Sequence, residues 1–379
     1  MLTIIHCADL HLDSRMETLL EPGRAARRRQ ELLGNFLRMI DFARQNGVSL
    51  ILIAGDLFDT DSVSPASAAT LARAMEDNPD ILFAYLQGNH DRGSFLSAIK
   101  EQPDNLLLFD ENWLTWRISG QVRLWGAELS AYAGRPADLE GSRAFWEELQ
   151  PDPTCINLVM LHGTAVGGRE ALLSDEEIPL GLLRDRGIDY LALGHIHQHQ
   201  SGSLDKRGSW CYAGCLEGRG FDECGPHGFE LIRIDEKSRT LTHSFFPFAK
   251  RRFYEFSVDL TDCMSSLDAM DLIRERADQE GCRREDILHI ILEGDLALES
   301  ELSPALLSSR LEEAFYALRL EDRTGIRVDY DSYEGDLSFR GTFIRLVRED
   351  PSLPEDMKAE IIRCGIRALS GTTSGESRQ

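Results

Sequence analysis

The first two-thirds of the chain repeats one pattern of hydrophobic and polar positions. A short run rich in aliphatic and β-branched residues is followed by a polar cluster and then by a stretch with helical spacing. This alternation predicts stacked β and α layers. Residues 30–45 are predicted to form the first amphipathic helix of the series, with Gly47 as its predicted end. The predicted strands are residues 2–7, 50–54, 81–86, 156–161 and 190–193.

The pattern changes after residue 250. Five shorter segments then alternate between strand-like and helical spacing, which predicts a separate α+β unit with its boundary near Lys250 and Arg251. Residues 342–369 have helical spacing with a break at 351–354, and the polar tail 370–379 is typical of disorder. The predicted strands are residues 252–258, 287–292 and 326–330, and the predicted helices are residues 265–279 and 304–318.

Composition places the chain among soluble globular proteins. Of its 379 residues, 42% are hydrophobic and 28% are charged, and this length suits about two domains. The apolar runs are far shorter than the roughly 20 residues that cross a bilayer. A β-like run begins at Leu2, which leaves no room for a secretory signal. We therefore expect a cytoplasmic protein.

The charge balance limits how the chain could bind nucleic acid, and the cysteine spacing limits the state of its thiols. The chain has 41 basic and 64 acidic residues and a net charge of −23, the opposite of the usual balance in a nucleic-acid-binding protein. A nucleic-acid role would depend on local basic patches, metal ions or a partner subunit. The eight cysteines have no repeated short spacing, so we expect reduced thiols rather than a disulfide framework or a zinc knuckle.

Metal-capable side chains follow each of the five predicted strands. One such residue after a strand is more often a turn or capping residue, but five in series point to a ligand crevice at one sheet edge. Oxygen and imidazole donors without thiolate suit Mn, Fe or Zn. Seven donors exceed what one ion needs and suit two ions about 3.5–4 Å apart. The donors are Asp9, His11, Asp56, Asn89, His162, His195 and His197.

These segments resemble the sequence blocks of the calcineurin-like metallophosphoesterase superfamily. The resemblance covers about residues 1–234 and implies a four-layer α/β/β/α sandwich. The matching blocks are Asp9-x-His11, Gly55-Asp56-x-x-Asp59, Gly88-Asn89-His90-Asp91, His162-Gly163 and Gly194-His195-x-His197.

The resemblance also implies a role for each donor. It assigns one metal ion to Asp9, His11 and His197. It assigns a second ion to Asn89, His162 and His195, with Asp56 bridging the two. His90 would act on the attacked phosphate as general acid or transition-state stabiliser, and Asp59 would orient His90. Asp91 would support the turn.

Finer details are similar to the DNA-repair exonuclease branch typified by the bacterial SbcD nuclease subunit. Residues 5–12, 52–60, 193–197 and 212–214 carry that likeness. It implies a Mn-dependent phosphodiesterase, active on DNA as an exonuclease or endonuclease in double-strand-break repair. It also implies a homodimer and a partner, an SMC-type ABC ATPase of the SbcC kind. The implied domains are a catalytic domain at 1–250, a capping domain at 251–335 and a candidate ATPase-docking segment at 336–369.

Basic residues near the metal blocks are candidates for contact with DNA phosphates. Such contacts would position DNA without reading its sequence. For the arginines at positions 24, 27 and 28, the alternative is that they pair with nearby glutamates on an exposed helix start. These glutamates are Glu17, Glu21 and Glu31. The candidates are Arg24, Arg27, Arg28 and Arg219.

Three further histidines have structural interpretations. His199, next to the last metal block, is predicted at the rim of the site rather than as a ligand. His6 lies within the first strand and is predicted to be a hydrogen-bonded core residue, and His243 is predicted to be structural.

Two other functions stay open at this point. The acidic net charge makes a small-molecule phosphodiesterase or phosphatase of the same fold credible. A catalytically inactive scaffold for an ATPase is the other alternative, although such a scaffold would be expected to lose metal ligands.

Overall fold

The computed structural model describes residues 1–16, 22–59, 63–91, 94–129, 139–167 and 176–369. The chain divides into two units, Met1–Arg252 and Phe253–Gln379. The first unit contains the strands β1 (Leu2–Cys7), β2 (Leu50–Ala54), β3 (Leu82–Leu86), β4 (Leu106–Leu108), β5 (Leu114–Arg117), β6 (Val122–Gly126), β7 (Ile156–His162), β8 (Thr164–Val166), β9 (Glu177–Pro179), β10 (Tyr190–Gly194), β11 (Gln200–Ser203), β12 (Ser209–Tyr212), β13 (Gly228–Asp235) and β14 (Thr240–Pro247). Its helices are α1 (Pro22–Gln45), α2 (Pro65–Glu76), α3 (Ser94–Ala98), α4 (Leu139–Glu148) and α5 (Leu180–Leu183).

Two six-stranded sheets form the centre of the first unit. The strand order is β14-β13-β1-β2-β3-β4 in the first sheet and β11-β12-β10-β7-β6-β5 in the second. Strands β1 to β4 run parallel to one another, and β6, β7, β10 and β12 do the same in the second sheet. The strand ends that carry the predicted metal donors therefore lie at the carboxyl edge of each sheet.

The sheets pack face to face through an apolar layer that includes Ile4, Leu52 and Leu158. Helices α1 and α2 cover the outer face of the first sheet, where Phe36 is fully buried. Helices α4 and α5 cover the outer face of the second sheet around Leu183. The predicted four-layer α/β/β/α sandwich is confirmed. Its central strands lie between two packed layers, which is why their sequences are continuously apolar.

The second unit contains the strands β15 (Phe253–Asp259), β16 (Ile287–Glu293), β17 (Asp295–Ala297), β18 (Ala317–Asp322) and β19 (Gly325–Arg327). Its helices are α6 (Ser266–Glu280), α7 (Pro304–Glu312), α8 (Phe339–Glu349) and α9 (Glu355–Leu369). Strands β15, β16 and β18 form a parallel sheet. A capping box between Ser265 and Asp268 begins α6, and left-handed Gly281 ends it. Helices α8 and α9 enclose a small core of their own that includes Ile344 and Ile362.

Two predicted helices have different limits in the structure. Helix α1 begins at Pro22 rather than at residue 30. The predicted helix 304–318 is wrong in its last part, because α7 ends at Glu312 and Leu318 lies in β18. Leu318 and Leu320 alternate along β18 and pack on one side against the core of the second unit, so strand spacing decides this segment. The polar tail, residues 370–379, lies outside the described residues.

None of the helices in the described part of the chain combines the length and the apolar character needed to cross a membrane.

Candidate metal centre

Seven donor side chains meet at the carboxyl edges of the two sheets, and we call them the strand-end cluster. Strands β1, β2 and β3 of the first sheet bring an aspartate and a histidine, a second aspartate, and an asparagine. Strands β7 and β10 of the second sheet bring three histidines. The members are Asp9, His11, Asp56, Asn89, His162, His195 and His197.

One group in the strand-end cluster consists of Asp9, His11 and His197. Their ligand atoms all lie within 4.8 Å of one another. The Nε2 atoms of His11 and His197 are 3.1 Å apart, and both Asp9 and His11 are only 1% exposed. Asp9 Oδ2 is buried and has no hydrogen-bond partner. A buried carboxylate oxygen facing two imidazole nitrogens has the chemistry of a divalent-cation site.

A second group consists of Asp9, Asp56 and His162, again with ligand atoms within 4.8 Å. His162 Nε2 is 3.4 Å from Asp56 Oδ2 and 3.0 Å from Asn89 Oδ1. The ring of His195 lies edge-on to that of His162, with centroids 5.4 Å apart. The structure therefore brings the donors of the second predicted ion to the same place.

Asp56 lies between the two groups. Its Oδ2 atom is 3.7 Å from His11 Nε2 and 3.4 Å from His162 Nε2. Its Oδ1 atom accepts a hydrogen bond from the backbone N–H of His90. Asp9 belongs to both groups. This arrangement suits two ions that share a carboxylate better than one isolated ion.

Four members of the strand-end cluster have left-handed backbone conformations, which are uncommon outside glycine. The φ angles are 50° at Asp9, 43° at His11, 51° at Asp56 and 99° at His195. Hydrogen bonds hold this backbone, from the N–H of Asp9 to Gly55 O and from that of His195 to Asp9 Oδ1. Such strain persists only where the surroundings fix it, and it is common at functional sites.

Two glycines allow the ends of the strands to lie close to His162. One directly precedes Asp56 and the other directly precedes His195. A Cβ at Gly55, whose φ is 87°, would lie 2.1 Å from His162 Nδ1. A Cβ at Gly194 would lie 1.9 Å from Ala54 O and 2.8 Å from the same nitrogen. The glycines of the Gly-Asp and Gly-His blocks thus leave room for His162 to pack between the strand ends.

His90 lies at the exposed side of the cluster. Its side chain is 49% exposed, and its ring lies 5.2 Å from that of His11. Asp59 Oδ1 is 3.7 Å from His90 Nδ1 but only 3.1 Å from His11 Nδ1. In this structure Asp59 therefore lies closer to His11 than to His90, the residue that the resemblance pairs with it.

Three acidic residues without an assigned metal role support the cluster. Glu223 Oε1 accepts from His197 Nδ1 at 2.7 Å, which turns His197 Nε2 toward His11. Asp91 accepts from the backbone N–H groups of Leu57, Phe58 and Gly88, which supports the predicted turn role. Glu128 accepts from the N–H of Gln87, just before Asn89. No pattern in the sequence pairs Glu223 or Glu128 with these partners.

Of the arginines predicted to contact DNA, Arg28 is fully buried. Its guanidinium donates to Glu217 and Glu31 at 2.9 Å and to the carbonyl oxygen of Gly218. The prediction of a DNA contact by Arg28 is therefore wrong, and the alternative pairing with Glu31 is confirmed. A basic cluster in a sequence does not distinguish an exposed arginine from one that neutralises a buried carboxylate.

The other three candidates lie nearer the surface. Arg27 is exposed on α1, and Arg24 is partly exposed. Arg219 is 19% exposed and pairs with Asp59 and Glu223. Arg219 thus lies beside the strand-end cluster, 3.2 Å from His197 Nδ1. Glu17 and Glu21 lie outside the described residues.

Comparison with known families identifies this arrangement. The sequence model of calcineurin-like phosphoesterases matches residues 2–199, which contain every member of the strand-end cluster. The chain belongs to the calcineurin-like phosphoesterase family. The superfamily expected from the sequence blocks is thereby confirmed.

Three relatives resemble this calcineurin-like phosphoesterase over most of its length. "Uncharacterized metallophosphoesterase YhaO" of Bacillus subtilis (strain 168) is 28% identical over 376 residues, 93% of this chain and 88% of that protein. "DNA double-strand break repair protein Mre11" of Haloferax volcanii is 26% identical over 90% of this chain and 71% of that protein. The protein of the same name from Saccharolobus solfataricus is 24% identical over 88% of this chain and 86% of that protein.

Calcineurin-like phosphoesterases use a dinuclear divalent metal site, and the electrostatics of this chain fit one. Burial raises the pKa of Asp9 to about 6 and lowers that of His11 to about 4. Burial also disfavours charge on Asp56 and His162, but their mutual hydrogen bond and attraction outweigh it. The pKa of His162 rises to about 9, and that of Asp56 falls well below its usual range. A bound divalent cation would stabilise the carboxylates of Asp9 and Asp56 and would take the place of the proton on His162.

Proposed function

We propose that this chain is a two-metal phosphodiesterase that cleaves DNA, as an exonuclease or endonuclease, in double-strand-break repair. The observation that carries the proposal is the geometry of the strand-end cluster. Two donor groups share Asp9, and Asp56 Oδ2 lies within 3.7 Å of an imidazole nitrogen from each. Two-metal phosphoesterases need such overlapping sites to act on both oxygens of an in-line displacement.

We propose that Asp9, His11 and His197 hold the first ion and that Asn89, His162 and His195 hold the second, with Asp56 bridging. All seven donate through oxygen or imidazole nitrogen, a set that suits Mn²⁺. When bound, two divalent ions supply Lewis-acid activation of the phosphodiester and of the attacking water. Glu223 fixes the orientation of His197, so that its Nε2 atom remains available as a donor.

His90 is the proposed general acid. It lies beside His11 at the exposed side of the cluster, where a phosphodiester would enter. Its backbone N–H is held by Asp56 Oδ1 at 3.0 Å, which ties its position to the bridging carboxylate. An imidazole in this place can donate a proton to the leaving oxygen. Asp59, 3.7 Å from His90 Nδ1, would orient the ring after a small side-chain movement.

DNA is the proposed substrate because two of the relatives are named as DNA double-strand break repair proteins. The likeness of the sequence blocks to the DNA-repair exonuclease branch supports the same choice. Arg27 on α1, the partly exposed Arg24 and Arg219, which lies beside His197, are the proposed contacts with a phosphate backbone.

A homodimer and an SMC-type ABC ATPase of the SbcC kind complete the proposal. Four large apolar side chains at α8 and α9 are more than half exposed: Leu337, Phe339, Leu346 and Met357. Such a surface suits a partner helix. We expect Leu346→Asp to weaken co-purification with the ATPase, whereas Arg73→Asp on the exposed end of α2 should not. Equal recovery of the ATPase with both variants would contradict docking on α8.

The decisive test compares substrates in the presence of Mn²⁺. The purified chain is incubated with end-labelled single-stranded and double-stranded DNA and, in parallel, with bis-p-nitrophenyl phosphate. The His90→Ala variant is the control for contaminating nuclease. Cleavage of DNA that is lost in the variant is the expected result. If neither substrate is cleaved after reconstitution with Mn²⁺, the catalytic proposal fails and the inactive scaffold is favoured.

The net charge of −23 favours a second candidate, a small-molecule phosphodiesterase or phosphatase with the same site. An acidic surface repels the DNA backbone, but it matters less to a small substrate bound close to the metals. Cleavage of the small diester or of cyclic nucleotides, with DNA left intact even when the ATPase is added, would support this candidate over the nuclease.

A further inference from the structure

Outside the strand-end cluster, another group of metal-capable side chains lies where the two sheets of the first unit face each other. It consists of His199, Cys211 and Glu230, and we call it the inter-sheet cluster. Cys211 is in β12 of the second sheet, Glu230 is in β13 of the first sheet, and His199 precedes β11. Their ligand atoms all lie within 4.8 Å of one another. None of the three belongs to the strand-end cluster.

Two of the three distances within the inter-sheet cluster match a tetrahedral zinc site, and the third pair of ligand atoms lies within 4.8 Å. Zinc bonds of about 2.3 Å to sulfur and about 2.0–2.2 Å to nitrogen and oxygen place S and N about 3.6 Å apart, and N and O about 3.4 Å apart. In the structure Cys211 Sγ is 3.7 Å from His199 Nε2, and His199 Nε2 is 3.2 Å from Glu230 Oε2. Thiolate, imidazole and carboxylate together are a ligand set that zinc accepts.

Glu230 Oε2 provides an independent indication. Glu230 is only 1% exposed, and its Oε2 atom forms an ion pair with His199 Nε2 at 3.2 Å but no hydrogen bond of regular geometry. A single nitrogen lies close to both the carboxylate and the thiol of Cys211. Without a cation, a proton on His199 Nε2 is directed to the Glu230 carboxylate, and the Cys211 thiol donates to Tyr212 O at 3.5 Å rather than to the imidazole. A cation among the three atoms satisfies all of them.

Neighbouring side chains hold the donors as they do around known metal sites. Glu230 Oε1 accepts from His243 Nδ1, and His243 Nε2 is 3.0 Å from the Ser209 hydroxyl. The ring of His199 lies 4.4 Å from that of Phe245. Ser209 and His243 also line a surface pocket of 620 Å³, and the His199 side chain is 27% exposed. The partly exposed His199 side chain is the side from which an ion would reach the inter-sheet cluster.

We propose that His199, Cys211 and Glu230 bind a zinc ion that links the two sheets and is separate from the catalytic pair. On binding, zinc replaces the thiol proton of Cys211, which is released to water. The fourth coordination position is open to a water molecule. This ion has a structural role because it joins β12 of one sheet to β13 of the other. The proposal does not depend on the substrate assigned to the strand-end cluster.

Cobalt spectroscopy on the full chain tests the site directly. Metal-free protein is titrated with Co²⁺, and the near-ultraviolet absorption band of thiolate bound to cobalt is recorded. The strand-end cluster has no cysteine, so its Co²⁺ ions cannot produce this band. We expect the band in the wild-type chain, and its absence there would overturn the proposal. This measurement does not depend on any variant folding correctly.

Variants then locate the sulfur ligand. Cys211→Ser should abolish the band and reduce bound zinc by one ion per chain, and His199→Ala at a partly exposed position should do the same. Cys155→Ser is the matched control, because Cys155 is buried in the same unit and its thiol contacts Asp152 rather than a histidine. A band that persists in Cys211→Ser, or that disappears in Cys155→Ser, would contradict the assignment.

Discussion

The strand-end cluster and the inter-sheet cluster use similar side chains on different kinds of backbone. In the strand-end cluster, Asp9, His11, Asp56 and His195 have positive φ angles and lie just beyond their strands. In the inter-sheet cluster, Cys211 and Glu230 lie within strands and follow the regular pleat. Strained loop backbone aims side chains at a position where substrate can enter, whereas strand backbone aims them into the core.

This difference separates activity from stability. Because we propose that the strand-end cluster holds the catalytic metals, we expect loss of its side chains to reduce turnover more than it reduces the free energy of unfolding. Glu230, by contrast, is buried between packed sheets, and removal of its partners leaves a buried charge without compensation. We therefore expect loss of an inter-sheet donor to appear first in unfolding experiments.

The largest effect should come from Asp56→Asn. The substitution removes the charge between the two donor groups, so we expect loss of bound metal and a fall in phosphodiesterase activity of at least about a thousandfold, equivalent to several kcal/mol. Hydrolysis of bis-p-nitrophenyl phosphate and metal analysis measure the two quantities. Asp41→Asn, at a position 62% exposed on α1, is the control. Activity within tenfold of wild type would exclude Asp56 as the bridging ligand.

His90→Ala separates chemistry from metal binding within the strand-end cluster. His90 is half exposed and is not one of the seven proposed donors, so we expect bound metal to be unchanged. Loss of a positioned general acid should reduce turnover by about 10²–10⁴-fold. Metal analysis and single-turnover kinetics check both parts. Near wild-type turnover would remove the proposed role of His90, and loss of metal would place it among the ligands.

The sequence allows prediction of the strand-end cluster because each donor lies in a short block directly after a strand. The glycine of two blocks is part of the pattern, because a Cβ at position 55 or 194 would clash with His162. Parallel strands then bring separate blocks to one edge. The four-layer fold follows from the same strands, whose continuous apolar sequences indicate burial on both faces.

Other contacts depend on pairs that the sequence does not link. His199 is 2 residues beyond His197, but its partners Cys211 and Glu230 come from different sheets, so the sequence favours a rim position. Arg28 belongs to a basic run, and only the fold shows that it is fully buried against Glu217. Local patterns report spacing along the chain, whereas these contacts are set by which faces of the sheets meet.

Glu223→Gln should have a smaller effect than either substitution above. Glu223 accepts from His197 Nδ1 at 2.7 Å, so it would act through that proposed ligand. Loss of such a supporting carboxylate typically weakens metal affinity by about 10–100-fold. Activity should therefore fall at low Mn²⁺ and recover at saturating Mn²⁺, as measured by metal titration of the rate. Glu76→Gln on the exposed end of α2 is the control. A loss that saturating Mn²⁺ does not restore would contradict this role.

The smallest expected effect is on stability, at Glu31, a carboxylate that arginines neutralise. Glu31 pairs with Arg28 and Arg251 and with the half-exposed Lys250. Burial opposes its ionisation, but these partners lower its pKa from 4.5 to about 2. The resulting stability is fully present above pH 4.5 and is lost as the pH falls toward about 2.

We therefore expect Glu31→Gln to reduce the free energy of unfolding by about 1 kcal/mol above that range and to have little effect near its lower end. Urea unfolding at a series of pH values measures the difference, with Asp41→Asn as a control at an exposed position. Because guanidinium groups already supply the positive charge, added or removed metal should leave this difference unchanged. A difference that depends on metal would contradict this expectation. It would mean that cations affect the stability of the fold through any buried carboxylate, and not only through carboxylates that lie beside imidazoles.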